Sequence, residues 1–263
     1  DFTNIVNIRL PKTVEEISDT SFPTYIYVQS CSSLSKLTSI EVDPENPFYQ
    51  SIDGVLYNKA GDTLIRCPHA RTSLHIPEGV TAISNFAFQP CNLTEVTLPK
   101  SLKTIGMHAF ADCESLASIV IPEGVSSIAK STFERCSALA EVTFPHSLRT
   151  IEYGAFSDCE SLATLIIPEG LTSIGNCTFN RCKALTEITL PHSLRIIEHS
   201  AFSACPSLKK LIIPEGITST GKCAFACSSL TELTIPGSLK KISLYSFADC
   251  ESLEKLVISE GVA

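Results

Sequence analysis

Apolar residues along most of this chain recur in one order: Leu, two residues, Ile, one residue, Ile, then proline. Leu116-Ala-Ser-Ile119-Val-Ile121-Pro122-Glu-Gly-Val125-Ser-Ser-Ile128 is one such stretch. The alternation predicts a short strand with its apolar side chains turned inward. Proline cannot donate to a strand ladder, so it marks the strand's end. The chain then turns and buries Val125 and Ile128. It returns through Phe133 and Cys136, where we expect a short helical or 3₁₀ turn.

This unit repeats. Prolines from Pro77 to Pro236 recur in steps of 22 or 23 residues, and a phenylalanine follows each of them 11 residues later, from Phe88 to Phe247. A single coil of this kind cannot bury its apolar face alone. Stacked coils can, and their strands then pair as a parallel sheet. The chain reads as one solenoid domain over residues 1–263. Residues 1–22 form a first coil, 23–70 an irregular segment, and 71–263 the regular repeats.

The pattern L-x-x-[IV]-x-[IL]-P-x-x-[LV]-x-x-I-x-x-x-[AT]-F-x-x-C resembles BspA-like leucine-rich repeats, including the treponemal type. The resemblance covers nearly the whole chain. It implies an α/β leucine-rich-repeat solenoid with a curved parallel β-sheet on the concave face and short helical or 3₁₀ turns on the convex face. It also implies adhesion or host-interaction roles and, for many members, a surface location. A parallel β-helix is the alternative fold.

The coils come in two alternating kinds. One carries Ile-Pro-Glu-Gly, as at 121–124. The other carries Pro-x-Ser, as in Pro145-His146-Ser147. Residues after the prolines therefore alternate Glu78, Lys100, Glu123, His146, Glu169, His192, which predicts a ladder of acid and base between coils. Asp112, Arg135, Asp158 and Arg181 predict a second ladder. Self-pairing accounts for both ladders more simply than a charged recognition edge does.

The solvent-facing middle position of each strand alternates too. Val120, Ile166, Ile212 and Val257 fall in one set of coils, and Thr143 and Thr189 fall between them. β-Branched residues suit any sheet. An apolar column open to water also marks an interaction surface. We take these six residues as candidate binding residues for a protein partner.

Periodicity fails before residue 70. Val55–Tyr57 and Thr63–Ile65 read as a β-hairpin around a glycine-containing turn, in a stretch that resembles the hairpin insertion of BspA-like proteins. Phe22, Tyr25, Tyr27, Phe48, Tyr49 and Tyr57 concentrate here. They predict either a local core or an apolar pocket for a small ligand.

Composition narrows the classes. A net charge of −8 argues against nucleic acid, which needs clustered Lys and Arg. No apolar run approaches a membrane span. The 12 cysteines recur once per coil, which predicts a row of buried free thiols rather than disulfides, and hence a reducing, intracellular compartment. Cell-surface or secreted location is the family-based alternative. No histidine lies in a zinc-ligand motif, and no nucleophile elbow or phosphate loop is present. We therefore expect no metal, no cofactor and no enzymatic activity. The last strand, with Leu256 and Ile258, lacks a polar cap after it. Homodimerisation through that edge is one expectation. The function expected is a non-enzymatic binding scaffold that uses the concave face and the irregular N-terminal region.

Overall fold

A computed structural model of the chain describes residues 4–17, 34–226, 228–239 and 242–262. Phe22, Tyr25, Tyr27, Cys31 and Cys227 lie outside the described residues. Each regular coil has three sides. Three- or four-residue strands such as Ser118–Val120 and Glu141–Thr143 pair in parallel along the front, in several sheets that together make the front face, called here the front sheet. Two-residue strands such as Ser127–Ile128 and Thr150–Ile151 form a parallel side sheet. A run of tight turns carries the phenylalanine and closes the coil.

The expected helical or 3₁₀ turns are not found, and among the described residues there is no helix. The reason lies in the backbone. Two residues before and two after the phenylalanine, φ is positive: 54° at Ser131 and 58° at Arg135 around Phe133. Left-handed residues in alternation cannot propagate a helix. They aim alternate N–H groups along the stack instead. Ser131, Phe133 and Arg135 each donate to the next coil, at Tyr153, Ala155 and Ser157, over 2.8 Å. The turns thus form a third ladder between coils.

The core fills the space between the three sides. In the coil quoted above, Leu116, Val125, Ile128, Phe133 and Cys136 are fully buried. The phenylalanines stack in one column from Phe88 to Phe247, with centroids 4.5–6.0 Å apart and nearly parallel planes. Cysteine has a polar role here as well as an apolar one. Cys136 Sγ donates to Phe110 O at 3.1 Å and Cys159 Sγ to Phe133 O at 3.2 Å. Each thiol therefore occupies a carbonyl of the preceding coil while filling a small apolar space.

The N-terminal irregularity starts the side sheet and separates the first front strands, Asn7–Leu10 and Ser39–Val42, from those that follow it. Tyr49–Ile52 pairs antiparallel with Val55–Asn58, which pairs antiparallel with Thr63–Arg66. Thr63–Arg66 then pairs parallel with Ala82–Ile83. The first turn uses Asp53 and Gly54, both at positive φ, a hairpin signal that supplies a third strand beyond the two expected. Asn46, fully buried, ties this meander to the first coil. Its Nδ2 donates to Pro11 O and Val14 O, and its Oδ1 accepts from the amides of Phe48 and Tyr49.

Candidate functional site

The two kinds of coil exist because their turns clamp one another. In Pro122-Glu-Gly-Val125 the turn closes with Val125 N donating to Pro122 O, and Gly124 sits at φ 99°. That is a type II turn, whose third residue is glycine by preference. Glu123 accepts from the amides of His146 and Ser147 in the next coil, at 2.9 and 3.2 Å. Ser147 Oγ answers by accepting from Gly124 N and donating to Val125 O. The same clamp joins Glu78 with Ser101 and Glu169 with Ser193.

This corrects the first expected ladder. The glutamates meet the backbones of Lys100, His146 and His192, not their side chains. These amides hold the carboxyls of Glu78, Glu123 and Glu169 below the usual carboxylate range, the bond from the residue after proline being the largest cause. The second ladder forms as expected. Arg135 donates to both oxygens of Asp112 at 2.5 and 2.8 Å, and Arg181 lies 3.7 Å from Asp158. The glutamates of the first ladder and both members of the second are thus occupied within the fold.

The middle column of the front sheet is left free. Val120, Ile166 and Ile212 are 63, 76 and 65% exposed, and Thr143 and Thr189 between them are also exposed. Their strand neighbours Ile119, Leu165 and Leu211 are buried, so the pleat fixes the outward side chains on a rigid base. A shallow open groove of about 770 Å³ crosses this face, with Thr97, Val120, Thr143 and His146 in its lining. Val257 lies on the same column at the last strand, 39% exposed.

The described aromatic rings of the N-terminal segment do not converge. Tyr57 is fully buried in the main core, and burial raises its hydroxyl to about 12. Tyr49 packs on a separate small cluster with Ile8, Leu10 and Ile17, and its hydroxyl accepts from Ile17 N. Phe48 is 44% exposed. Rings dispersed in this way do not share one apolar pocket.

A buried polar cluster closes the start of the turn ladder, where no regular coil precedes it. Arg66 donates to Phe86 O, Gln89 O and His69 Nε2 at 2.5–2.9 Å. Arg66 and His69 are 3 and 4% exposed. Sequence reasoning missed this cap, since nothing in the repeat pattern marks an arginine turned inward. Burial, and then the Arg66 charge, push His69 down to about 3. The folded state therefore keeps His69 neutral while the unfolded chain takes up a proton near pH 6.5. Stability falls as pH falls between these values. The loss is about 1.4 kcal/mol per unit once below the upper value, or about 2 kcal/mol by pH 5. Urea unfolding at pH 7 and pH 5 checks this. In His69→Gln, which keeps an acceptor for Arg66, the pH 5 deficit shrinks by about 2 kcal/mol, the remainder including His108, which burial also lowers; an equal deficit in both proteins assigns it elsewhere.

The ten described cysteines are unpaired. Burial raises the thiols of Cys91, Cys113, Cys136, Cys159, Cys182 and Cys205, the last to about 12. A thiol with almost no thiolate reacts slowly with oxidants in any compartment. Unpaired cysteines therefore do not report on location, and the intracellular expectation loses its support. At the last strand, Leu256 and Ile258 are 44 and 52% exposed, whereas their partners Leu233 and Ile235 are buried. A second copy and a following coil would cover this edge equally well, so it assigns no partner by itself.

The chain matches a family model described as a BspA type leucine-rich repeat region, in six copies over residues 1–51, 66–185 and 150–263. Among solved structures it is similar to a leucine-rich repeat protein from Eubacterium ventriosum. The identity is 30% and the TM-score 0.77, over 86% of this chain and 59% of that one. A Treponema pallidum leucine-rich repeat protein is 30% identical with a TM-score of 0.60, over 70% of this chain and 88% of that one. A leucine-rich repeat protein from Bacteroides ovatus is 25% identical with a TM-score of 0.64, over 99% and 65%. The chain thus spans less than two thirds of the Eubacterium and Bacteroides proteins. No functionally curated protein sequence matches it. Repeat motif, stacked parallel coils and matched family agree: the chain belongs to the BspA type leucine-rich repeat family.

Proposed function

We propose that this chain is a non-enzymatic scaffold that holds a protein partner against its front sheet. One observation carries the reading: Val120, Ile166 and Ile212 stand exposed in one column of the front strands, each beside a buried residue that fixes its strand on the core. Covering such side chains is worth about 1.5–3 kcal/mol each at full burial. Three of them suffice for a specific, modest interaction. The face lacks the tryptophan and arginine anchors of tight interfaces, so affinity comes from breadth. The surface location that the family implies would change the partner's compartment and not the face that meets it.

Ile166→Asp with Ile212→Asp tests this. Both positions are exposed, so the fold and its thermal midpoint are retained. Polypeptides captured by the natural chain from an extract of its source organism are lost by the double variant. Equal capture by both proteins removes the front face as the binding surface.

A further inference from the structure

The thiol row begins on a pair that differs from the rest of it. From Cys113 to Cys205 each row thiol donates to a carbonyl of the preceding coil at the phenylalanine position. Cys113 does so to Phe88 O at 3.3 Å and Cys136 to Phe110 O at 3.1 Å. These side chains rise from one column and run side by side, an orientation that does not turn two sulfurs towards each other. Cys91 departs from this. Its Sγ donates to Pro68 O at 3.5 Å, and Cys67 Sγ donates to the same oxygen at 3.6 Å. The two thiols are also joined by a hydrogen bond between their side chains.

A change of residue at the head of the phenylalanine column brings them together. Cys67 N donates to Ala87 O at 2.8 Å, as Phe88 N donates to Ala109 O. Cys67 therefore stands where later coils place phenylalanine. Cys91 stands at the cysteine position of the next coil. The pair thus converges from two different columns, on one oxygen, with both residues buried.

We infer that Cys67 and Cys91 form a disulfide in an oxidising medium, and that it staples the N-terminal meander to the first regular coil. Cys67 directly follows Thr63–Arg66, the last strand of the meander. The oxidant is a small-molecule disulfide such as glutathione disulfide. One cysteine thiolate attacks it, forming a mixed disulfide and releasing one glutathione thiolate. The second cysteine thiolate attacks the protein sulfur of that mixed disulfide and releases the other glutathione. Two protein thiols are oxidised, one glutathione disulfide is reduced to two thiols, and the two protons pass to the released thiolates. Burial holds the Cys91 thiol high and the Arg66 charge works against it. The exchange therefore proceeds as the chain folds, before the coils close over the pair. Pro68 O loses two thiol donors in the step but keeps the Arg71 amide at 3.2 Å, so the bond leaves no bare buried carbonyl. The staple is independent of the front-face reading.

Refolding the whole chain from urea in oxidised and reduced glutathione tests it. Remaining thiols are alkylated, and mass spectrometry of the digest identifies linked peptides. Two of the 12 cysteines escape alkylation, and they are Cys67 and Cys91, joined to each other. The linked chain unfolds about 5 °C or more above the reduced one, and dithiothreitol removes the difference. Cys113→Ala keeps the link, and Cys67→Ala abolishes both the link and the difference. The peptide map of the natural chain decides the matter if a variant fails to fold. Free Cys67 and Cys91 after refolding would overturn the proposal. So would linkage of Cys91 to Cys113 as often as to Cys67, or equal midpoints for the linked and reduced chains.

Discussion

Replacing Phe156 by alanine lowers the unfolding free energy by about 3–5 kcal/mol, the usual cost of emptying a phenylalanine site in a core. The ring is fully buried. It stacks between Phe133 at 5.2 Å and Phe179 at 5.5 Å, and Phe144 meets its edge at 5.7 Å. Each coil of a solenoid contacts only its neighbours, so a void at this point weakens two interfaces at once. Its backbone is held by ladders on both sides, with Phe156 N donating to Thr178 O, which limits how far the coils can collapse into the space. Phe247 is partly buried and stacks on Phe225 alone among the described rings, so its removal costs less. Urea unfolding followed by circular dichroism gives both values. A Phe156→Ala loss below about 1 kcal/mol, or a larger loss at Phe247, would show that the column is not a continuous spine.

The second large effect is expected at Gly170. Its φ is 98°, a conformation that L side chains adopt only under strain of about 1–3 kcal/mol. A Cβ there would lie 2.6 Å from Arg149 Nη1. That nitrogen donates to His146 O and Leu148 O at 2.8 Å, so the clash displaces a guanidinium that caps its own turn. Gly170→Ala therefore costs about 1–3 kcal/mol from the backbone strain, and little more for the guanidinium, the exposed end of a flexible side chain that can swing aside. Gly79 has nearly the same φ, 97°, and nothing within 4 Å of a Cβ. Gly79→Ala isolates the backbone strain, and the difference between the two variants reads the displaced arginine. If Gly170→Ala loses several kcal/mol more than Gly79→Ala, the Arg149 guanidinium is fixed in place and not free to move aside.

The stack, its period and its inward residues were legible because each coil repeats the same apolar positions. Leu116, Ile119, Ile121, Val125, Ile128 and Phe133 all go where the spacing sends them. The missing helices were not legible. Ser131, Arg135 and Cys177 are not residues that announce a left-handed conformation, yet each adopts it, because bonding to the next coil outweighs the local strain. The two-coil period was visible, but its cause was read as paired side chains. The glutamates bond to backbone amides, which have no letter in a sequence. The exposed column at Val120, Ile166 and Ile212 followed from simple alternation. The fate of Tyr57 did not, because an aromatic ring in an irregular segment fits a core and a pocket equally well.

The central claim is that the front sheet meets the partner while the turn ladder only holds the coils together. A photocrosslinking amino acid placed at position 166, and in a separate protein at position 181 on the turn side, tests it most directly. The account predicts a crosslinked partner from position 166 and none from 181. Adducts formed from 181 as readily as from 166, or from 181 alone, would contradict it.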